Sequence, residues 1–306
     1  MPPGHDHARG LTATGRHRGR LTAVMAITGG IATAEIIGAL VSGSLVLLAD
    51  AAHMAADAAA VGLSVLAAYM ATRPATDRRT FGYARAEILA ATVNALLLLG
   101  LAAFIITEAV QRLAAPPQVG SGLMIVFGVV ALAGNGASLL LLRHGQAQSL
   151  NVRGAFLEVA SDTFGALAVI VSGVVIALTG FTLLDPIASL AVALLILPRT
   201  WRLLRDAVDV LLEASPRGVD LTEVRAHMTA LEGVKDVHDL HAWTITSGLP
   251  VLSAHVVVDP AVHTGNRSAA MLDALQFCLR GHFDVVHSTF QLEPAGHADH
   301  EPSVCL

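Results

Sequence analysis

Six long apolar segments follow one another along the first part of the chain, and short polar connections separate them. An α-helix needs about 20 predominantly apolar residues to cross the hydrocarbon core of a bilayer, and each segment meets that length. Several segments are rich in Ala and Gly, small residues that let helices pack closely in lipid. We predict membrane-spanning helices over residues 21–41, 45–70, 87–111, 121–142, 156–178 and 182–204.

Beyond the sixth segment the pattern changes to shorter elements with more polar positions. Helical spacing of apolar residues occurs near 220–232 and 266–281, and strand-like segments lie at 234–246, 251–259 and 284–293. The order helix-strand-strand-helix-strand is that of a ferredoxin-like half-sandwich. The predicted fold is an α-helical membrane protein with six transmembrane helices and a small cytoplasmic α+β ferredoxin-like C-terminal domain.

These patterns divide the chain into four parts. The predicted parts are a His- and Arg-bearing cytoplasmic tail at 1–20, the six-helix membrane domain at 21–205, the ferredoxin-like domain at 206–293 and a second tail at 294–306. The composition of both tails predicts disorder.

The composition supports a polytopic membrane protein. The chain of 306 residues is 54% hydrophobic and 14% charged, with a mean hydropathy of +0.63, whereas soluble domains carry about 25% charged residues. The net charge of -5 and the lack of a long basic run argue against a nucleic-acid partner. Two cysteines, Cys278 and Cys305, form no CxxC motif and predict no disulfide framework.

Basic residues are unevenly distributed between the two ends of the predicted spans. Arginines lie in the N-terminal tail, in the connections after the second and fourth spans, and at the end of the sixth span, where Arg199 is the first of three. The opposite side has only Arg112. Because cytoplasmic connections carry the excess of Lys and Arg, we predict that both termini are cytoplasmic. The expected location is the inner or plasma membrane of the cell, crossed several times.

Ionisable residues interrupt two of the predicted spans. His53 and Asp57 are four residues apart in the second span, with Asp50 three residues before them, and Glu158 and Asp162 repeat the spacing in the fifth. Residues four apart share a helix face. A single buried polar residue is often explained by packing, but Asp at the centre of a membrane helix costs about 3 kcal/mol. Because neither span contains Lys or Arg, two matched pairs predict a bound cation.

The predicted ligands indicate which cations fit. One imidazole and three carboxylates make four ligands, which suits tetrahedral zinc. Imidazole argues against magnesium and calcium, and the lack of a thiolate argues against copper(I). Zinc is favoured, while cobalt, cadmium, iron(II) and manganese stay open as main substrates.

The same site predicts proton exchange. Three carboxylates crowded in a medium of low dielectric repel one another unless protons or a cation neutralise them. Metal binding needs deprotonated ligands, so metal and protons displace each other. We expect efflux of metal from the cytoplasm in exchange for protons by alternating access. A membrane metalloenzyme and a membrane-tethered metal sensor are the alternatives of other classes, although no HExxH or nucleophile motif supports the enzyme.

Three motifs resemble those of the cation diffusion facilitator family: SGSLVLLADAAHMAADA, FGYARAEILAATVNALLL and DPIASL. The resemblance covers nearly the whole chain. It implies a homodimeric, zinc-type divalent metal/proton antiporter in a lipid bilayer, with divalent metal ions and protons as its partners. The transport ligands that it implies are His53, Asp57, Glu158 and Asp162.

The chain departs from the family pattern at the transport site. The commonest zinc pattern has a His at the position of Glu158, so metal selectivity is expected to depend on that residue. Asp50 matches the motif of the second span without being a ligand. It is expected to support the metal ligands as a neighbour or to relay protons, and the alternative is a packing hydrogen bond between helices.

Two further residues match positions that the family uses outside the transport site. Arg85 falls where members place a basic residue that pairs with an acid after the sixth span, and Asp209 or Glu213 is the candidate partner. Tyr83 stands where some members have a histidine that binds a second ion, so that second site is not expected here.

In the C-terminal domain, His238, His255 and His287 fall at positions where members bind a regulatory metal between protomers. Zn²⁺ is therefore expected as transported substrate and as a possible regulatory ligand. Thr289 replaces a carboxylate of one such site. Missing ligands are expected from His241, Glu293, His297, His300 or Cys305. The alternative for each histidine is an ordinary surface or core position.

Further polar residues lie in the spans. Glu35, Asn94, Glu108 and Asn135 are expected to pack between helices or line the path. Asp185, directly before Pro186, is predicted to cap the start of the sixth span.

Overall fold

A computed structural model of the chain describes residues 13–143, 150–264, 266–283, 285 and 287–297. Most residues of the two predicted tails lie outside this described part, and His300 and Cys305 are among them. Within it, the α-helices are α1 (Ala13–Ser42), α2 (Leu45–Ala71), α3 (Ala86–Ala114), α4 (Ser121–Leu142), α5 (Leu150–Thr179), α6 (Leu184–Leu211), α7 (Leu221–Thr229) and α8 (Arg267–Phe283). The strands are β1 (Val234–Thr244), β2 (Pro250–Val258) and β3 (His287–Glu293), and a 3₁₀ turn covers Pro260–His263.

Helices α1 to α6 are long and apolar enough to cross a membrane, with mean hydropathies of 1.6 to 2.4 in their apolar parts. The six predicted spans are confirmed. Helix α6 runs on to Leu211, seven residues past the predicted end at 204. The fold class of six membrane helices followed by an α+β domain is confirmed as well.

The chain divides into two compact units, residues 1–63 with 93–203 and residues 64–92 with 204–306. The second unit contains the last residues of α2, the first residues of α3 and the connection between them, together with the C-terminal domain. Within this unit, hydrogen bonds join the start of α3 to the connection after β1. Thr246 Oγ1 and Ser247 Oγ donate to the carboxylate of Glu87, at 2.6 and 2.9 Å.

The first unit is held together by apolar clusters on both sides of α2. Val46 and Leu47 of α2 pack with Met124 of α4 and Val169 of α5. On the other side, the cluster is formed by Leu45 and Ala49 of α2, Ile105 and Ala109 of α3, and Ala193 of α6. Helix α2 therefore has packing partners on both sides, which positions its polar residues relative to α5 and α6.

Asp185 connects the first turn of α2 to the start of α6. It is fully buried, and its carboxylate accepts hydrogen bonds from Ser44 Oγ at 2.6 Å, from the Leu45 N–H at 2.8 Å and from the Val46 N–H at 3.3 Å. The first N–H groups of a helix have no partner within the helix, and a carboxylate there is favourable. The prediction that Asp185 caps its own helix was wrong: α6 begins at Leu184, and the side chain caps α2 instead.

Replacing Asp185 with Ala should lower the free energy of unfolding by about 3 kcal/mol. The change removes the acceptor for buried donors of α2 and the carboxylate oxygen that lies 3.8 Å from Arg112 Nη1. Thermal unfolding of the purified protein in detergent measures the effect. Asp77→Ala, at an exposed position between α2 and α3, is the control and should leave the midpoint unchanged. Equal midpoints for the two variants would contradict the capping role.

The C-terminal part of the second unit is a three-stranded sheet in the order β1-β2-β3, with β1 antiparallel and β3 parallel to β2. The buried core includes Val224 and Met228 of α7 and Leu275 and Leu279 of α8. Both helices thus bury their apolar residues in the same core as the strands. The predicted helix-strand-strand-helix-strand order is confirmed.

Arg85, directly before α3, pairs with an acid that follows α6. Its Nη2 lies 2.7 Å from Glu213 Oε1, so Glu213 rather than Asp209 is the partner among the two candidates. Both side chains are exposed, and exposed pairs contribute at most about 1 kcal/mol. The pair therefore joins two segments of the second unit without determining its stability.

Candidate metal sites

A cavity of about 520 Å³ lies among the helices of the first unit. The ionisable residues that line this cavity lie on three helices. They are Asp50, His53 and Asp57 of α2, Asp162 of α5 and Arg199 of α6. Charged groups are rare in membrane-spanning helices and usually face a cavity or one another. The structure therefore brings the interruptions of the apolar pattern to one place.

The four predicted transport ligands lie close together. His53, Glu158 and Asp162 each offer one ligand atom, and these atoms lie within 4.8 Å of one another. Asp57 Oδ2 lies 3.5 Å from His53 Nε2, so the fourth residue is adjacent to this group. The spacing of four residues places each pair on one face of its helix. Their role as metal ligands stays a prediction at this point.

Three atoms of the four predicted ligands are buried and have no hydrogen-bond partner in the described part of the chain: Nδ1 of His53, Oδ2 of Asp57 and Oδ1 of Asp162. Asp162 is only 5% exposed. A buried carboxylate without a partner is strongly unfavourable, so such an atom needs a cation or a proton. One imidazole with carboxylates is a donor set that suits zinc and related divalent transition metals.

Arg199 supplies a counter-charge that sequence reasoning missed. Its Nη1 donates to Glu158 Oε1 at 3.1 Å and its Nη2 donates to Glu158 Oε2 at 3.0 Å. The expectation that these carboxylates have no basic partner considered only the spans that carry them. Arg199 lies in the sixth span, where an arginine near the predicted cytoplasmic end was attributed to membrane orientation.

Asp50 lies beside the ligand group rather than in it. It is 3% exposed, lines the same cavity and lies against Gly165 of α5. A methyl group at position 165 would overlap the Asp50 carboxylate, so glycine leaves the space that this carboxylate occupies beside α5. Asp50 is one helical turn before His53, a position from which it can support a ligand.

The other polar residues of the spans have different surroundings. Glu35, Asn94 and Asn135 are buried, at 0%, 6% and 1% exposure, and Asn94 also lines the cavity. Glu108 instead pairs with Arg112, with Oε1 and Nε 2.9 Å apart. Of these four residues, the structure thus places Asn94 at the cavity.

A second cluster of metal-ligating side chains lies in the C-terminal domain. His238 Nε2 lies 3.1 Å from Glu293 Oε2, and His255 Nδ1 lies 2.7 Å from Glu293 Oε1. Glu293 is 1% exposed. The two histidines are opposite each other in the register of β1 and β2, and Glu293 ends the neighbouring strand β3. Two imidazoles with one carboxylate make three ligands of a kind that zinc sites use.

His287 is not part of this cluster within one chain. It is the first residue of β3 and lies opposite Val251, whereas Gln291 lies opposite His255. Its ring instead contacts Phe81, with the ring centroids 5.8 Å apart. The structure therefore does not bring the three predicted histidines together in one chain. The third member of the cluster is instead Glu293, one of the residues predicted to supply a missing ligand.

Replacing Glu293 with Gln should weaken zinc binding at the C-terminal cluster at least about tenfold, because the carboxylate contacts both imidazoles. Equilibrium dialysis of the purified chain against zinc measures the affinity, in an Asp162→Ala background that removes a predicted transport ligand. Glu223→Gln, at an exposed position of α7, is the matched control. Unchanged zinc affinity in the Glu293 variant would contradict a metal site at this cluster.

Six membrane-length helices, four of which line a cavity with imidazole and carboxylate groups, define the class: a polytopic membrane protein with ionisable residues inside its helix bundle. Two family models match the chain. The cation efflux transmembrane domain matches residues 21–212, and the cytoplasmic domain of cation efflux proteins matches residues 216–295. The chain belongs to the cation diffusion facilitator family, whose members are transporters and not enzymes.

Several relatives match over nearly the whole chain. The metal cation efflux system protein CzcD of Cupriavidus metallidurans is 44% identical, over 98% of this chain and 93% of the relative. The zinc transporter ZitB of Escherichia coli is 38% identical, over 96% and 93%. The cadmium, cobalt and zinc/H(+)-K(+) antiporter of Bacillus subtilis is 34% identical, over 99% and 96%.

One solved structure matches the C-terminal domain. It is the metal-bound C-terminal domain of the CzcD transporter of the same Cupriavidus species. It is 44% identical and covers 24% of this chain and 99% of the solved chain, with a TM-score of 0.23.

Proposed function

We propose that the chain exports divalent transition metal from the cytoplasm, with zinc as the main substrate, in exchange for protons. The transport site in this proposal is formed by His53, Asp57, Glu158 and Asp162. The observation that carries it is the proximity of two ligand pairs from α2 and α5, three of whose atoms are buried without a hydrogen-bond partner among the described residues.

The donor set supports the choice of substrate. An imidazole nitrogen favours transition metals over magnesium and calcium, which prefer oxygen ligands. The relatives are named for zinc, cadmium and cobalt. Zinc suits a four-ligand site of nitrogen and oxygen atoms, and the three carboxylates keep cobalt, cadmium, iron(II) and manganese as competitors.

Proton exchange follows from the chemistry of the ligands. Imidazole and carboxylate groups bind metal only in their deprotonated forms. When the metal leaves, the same groups lie close together in a medium of low dielectric, where protons relieve their repulsion. One relative is named an antiporter that uses H⁺. Alternating access would then carry metal in one direction and protons in the other.

The proposal includes the arrangement of the chain. The distribution of arginine supports a cytoplasmic location for both termini, for the connection that carries Arg85, and for the C-terminal domain. We assign residues 21–205 to transport and 206–293 to homodimer formation and metal sensing, with the cluster of His238, His255 and Glu293 as the regulatory site. The matched model of the cytoplasmic domain supports this division.

Flux measurements in proteoliposomes test the proposal. Vesicles that enclose a fluorescent metal indicator receive zinc, cadmium, cobalt, manganese or iron(II) outside, with or without an acidic interior. We expect zinc uptake that rises with the pH gradient and falls when an ionophore collapses it. Zinc uptake that ignores the gradient would contradict proton exchange, and binding of zinc with no flux would identify a sensor instead.

A further inference from the structure

Arg199 contacts the predicted transport site from a third helix. The site otherwise consists of residues of α2 and α5, whereas Arg199 belongs to α6. Its guanidinium forms two parallel hydrogen bonds with both oxygens of Glu158, at 3.1 and 3.0 Å. It also lines the cavity that contains His53, Asp57 and Asp162. A bidentate pair of this kind is directional and strong.

The charges of the site explain why such a residue is useful. With a neutral imidazole, the three carboxylates carry three negative charges, and a divalent cation leaves one of them uncompensated. The guanidinium supplies the missing positive charge, so that the loaded site is neutral. A net charge inside a membrane protein is costly unless it is paired. Arg199 therefore makes the site electrically suited to a divalent ion.

Arg199 and a metal share one carboxylate. Both oxygens of Glu158 accept hydrogen bonds from Arg199, and each oxygen keeps a second lone pair that can coordinate a metal. The guanidinium and the metal ion then repel each other across Glu158. A guanidinium does not lose its proton in proteins, so it stays a cation throughout. It is fixed to the helix and cannot diffuse away as a proton or metal ion can.

The position of Arg199 leaves it room to move. Its side chain is 66% exposed, whereas that of Glu158 is 30% exposed. The hydrogen bonds that hold the guanidinium are its two bonds to Glu158.

We propose that Arg199 is a tethered counter-cation that holds Glu158 when no metal is bound and gives way when a divalent ion enters. It lowers the affinity of the site for the metal and, by binding Glu158 again, promotes release of the metal. This inference rests on the proposed function for the role of the cavity. It assigns to Arg199 a positioning role that acts on the metal through Glu158.

Zinc binding to four forms of the full chain tests the inference: wild type, Arg199→Met, Glu158→Gln and the double variant. All carry His238→Ala and His255→Ala, so that the C-terminal cluster does not contribute. We expect Arg199→Met to bind zinc at least about tenfold more tightly than wild type, because a competing cation is removed. Glu158→Gln should bind at least about tenfold more weakly, because it loses a ligand and leaves Arg199 unpaired.

The double variant tests whether Arg199 affects zinc affinity when Glu158 is not charged. It should bind zinc at least about tenfold more tightly than Glu158→Gln, because the unpaired guanidinium no longer repels the ion. Arg199→Lys, which keeps the charge but not the bidentate geometry, should lie between wild type and Arg199→Met. Arg202→Met removes a charge three residues further along α6 and should leave the affinity unchanged. A double variant no tighter than Glu158→Gln, or an Arg199→Met variant no tighter than wild type, would overturn the inference.

The measurements distinguish failure of the role proposed for Arg199 from failure of the proposed transport function. Zinc flux by the wild type with unchanged zinc affinity in Arg199→Met would overturn the role of Arg199 and leave the transport proposal in place. The expected order of affinities in a protein that moves no metal would support the counter-cation and overturn the transport proposal.

Discussion

Replacing Asp162 with Ala should reduce zinc flux to the level of vesicles without protein. Removing a residue that only supports a ligand costs about 10–100-fold in metal affinity, and removing a ligand itself should cost at least about 100-fold. The fold should survive the change. Oδ1 of Asp162 is buried with no hydrogen-bond partner in the described residues, and Ala is a better helix former than Asp.

The two effects are measured on the same preparation. Flux is followed in proteoliposomes with an acidic interior, and stability is followed by thermal unfolding in detergent. The expected pattern is lost transport with an unchanged or higher unfolding midpoint, and Asp77→Ala should change neither. Flux at the wild-type level in Asp162→Ala would contradict the proposed site. A large loss of stability would show that Asp162 is a structural residue.

Replacing Gly165 with Ala should also cause a large loss of transport, by a different route. The added methyl group overlaps the carboxylate of Asp50, which is buried on α2. Overpacking of this kind costs about 1–3 kcal/mol. The overlap is relieved when the Asp50 carboxylate turns away from α5 or when α2 and α5 move apart. Either change disturbs the surroundings of the two ligand pairs that these helices carry, so metal affinity should fall.

Gly136→Ala on α4 is the matched control. A methyl group there has no neighbour within 4 Å, and Ala in place of Gly inside a helix stabilises by about 0.5–1 kcal/mol. Thermal unfolding and zinc flux of the two variants give the comparison. If Gly165→Ala behaves like Gly136→Ala in both measurements, the close contact between Asp50 and Gly165 does not position the site.

Much of the fold could be predicted because its causes are local in sequence. Segment length and apolar composition predict the spans, since a bilayer sets the length of the helix that crosses it. The spacing of four residues predicts that His53 and Asp57 share a helix face, and likewise Glu158 and Asp162. The motif resemblance adds that the two pairs belong together, and the structure places the side chains of both pairs close to one another.

The remaining features depend on which residues of distant elements meet. Arg199 lies near the end of the sixth span, and from the sequence it was attributed to the excess of arginine at the predicted cytoplasmic side. Nothing in the sequence of α6 shows that it contacts Glu158. Asp185 was assigned to its own helix because caps are usually local, whereas it caps α2. In the C-terminal domain, the register between β2 and β3 places Glu293, and not His287, beside His238 and His255.

The zinc K-edge X-ray absorption spectrum of a variant without the C-terminal cluster tests the central claim most directly. The protein carries His238→Ala, His255→Ala and Glu293→Gln and is loaded with zinc. The account predicts one zinc per chain with nitrogen and oxygen ligands at about 2.0–2.2 Å and scattering from a single imidazole. No retained zinc, or a spectrum with sulfur or several imidazoles, would contradict the claim that His53 and the carboxylates of α2 and α5 hold the metal.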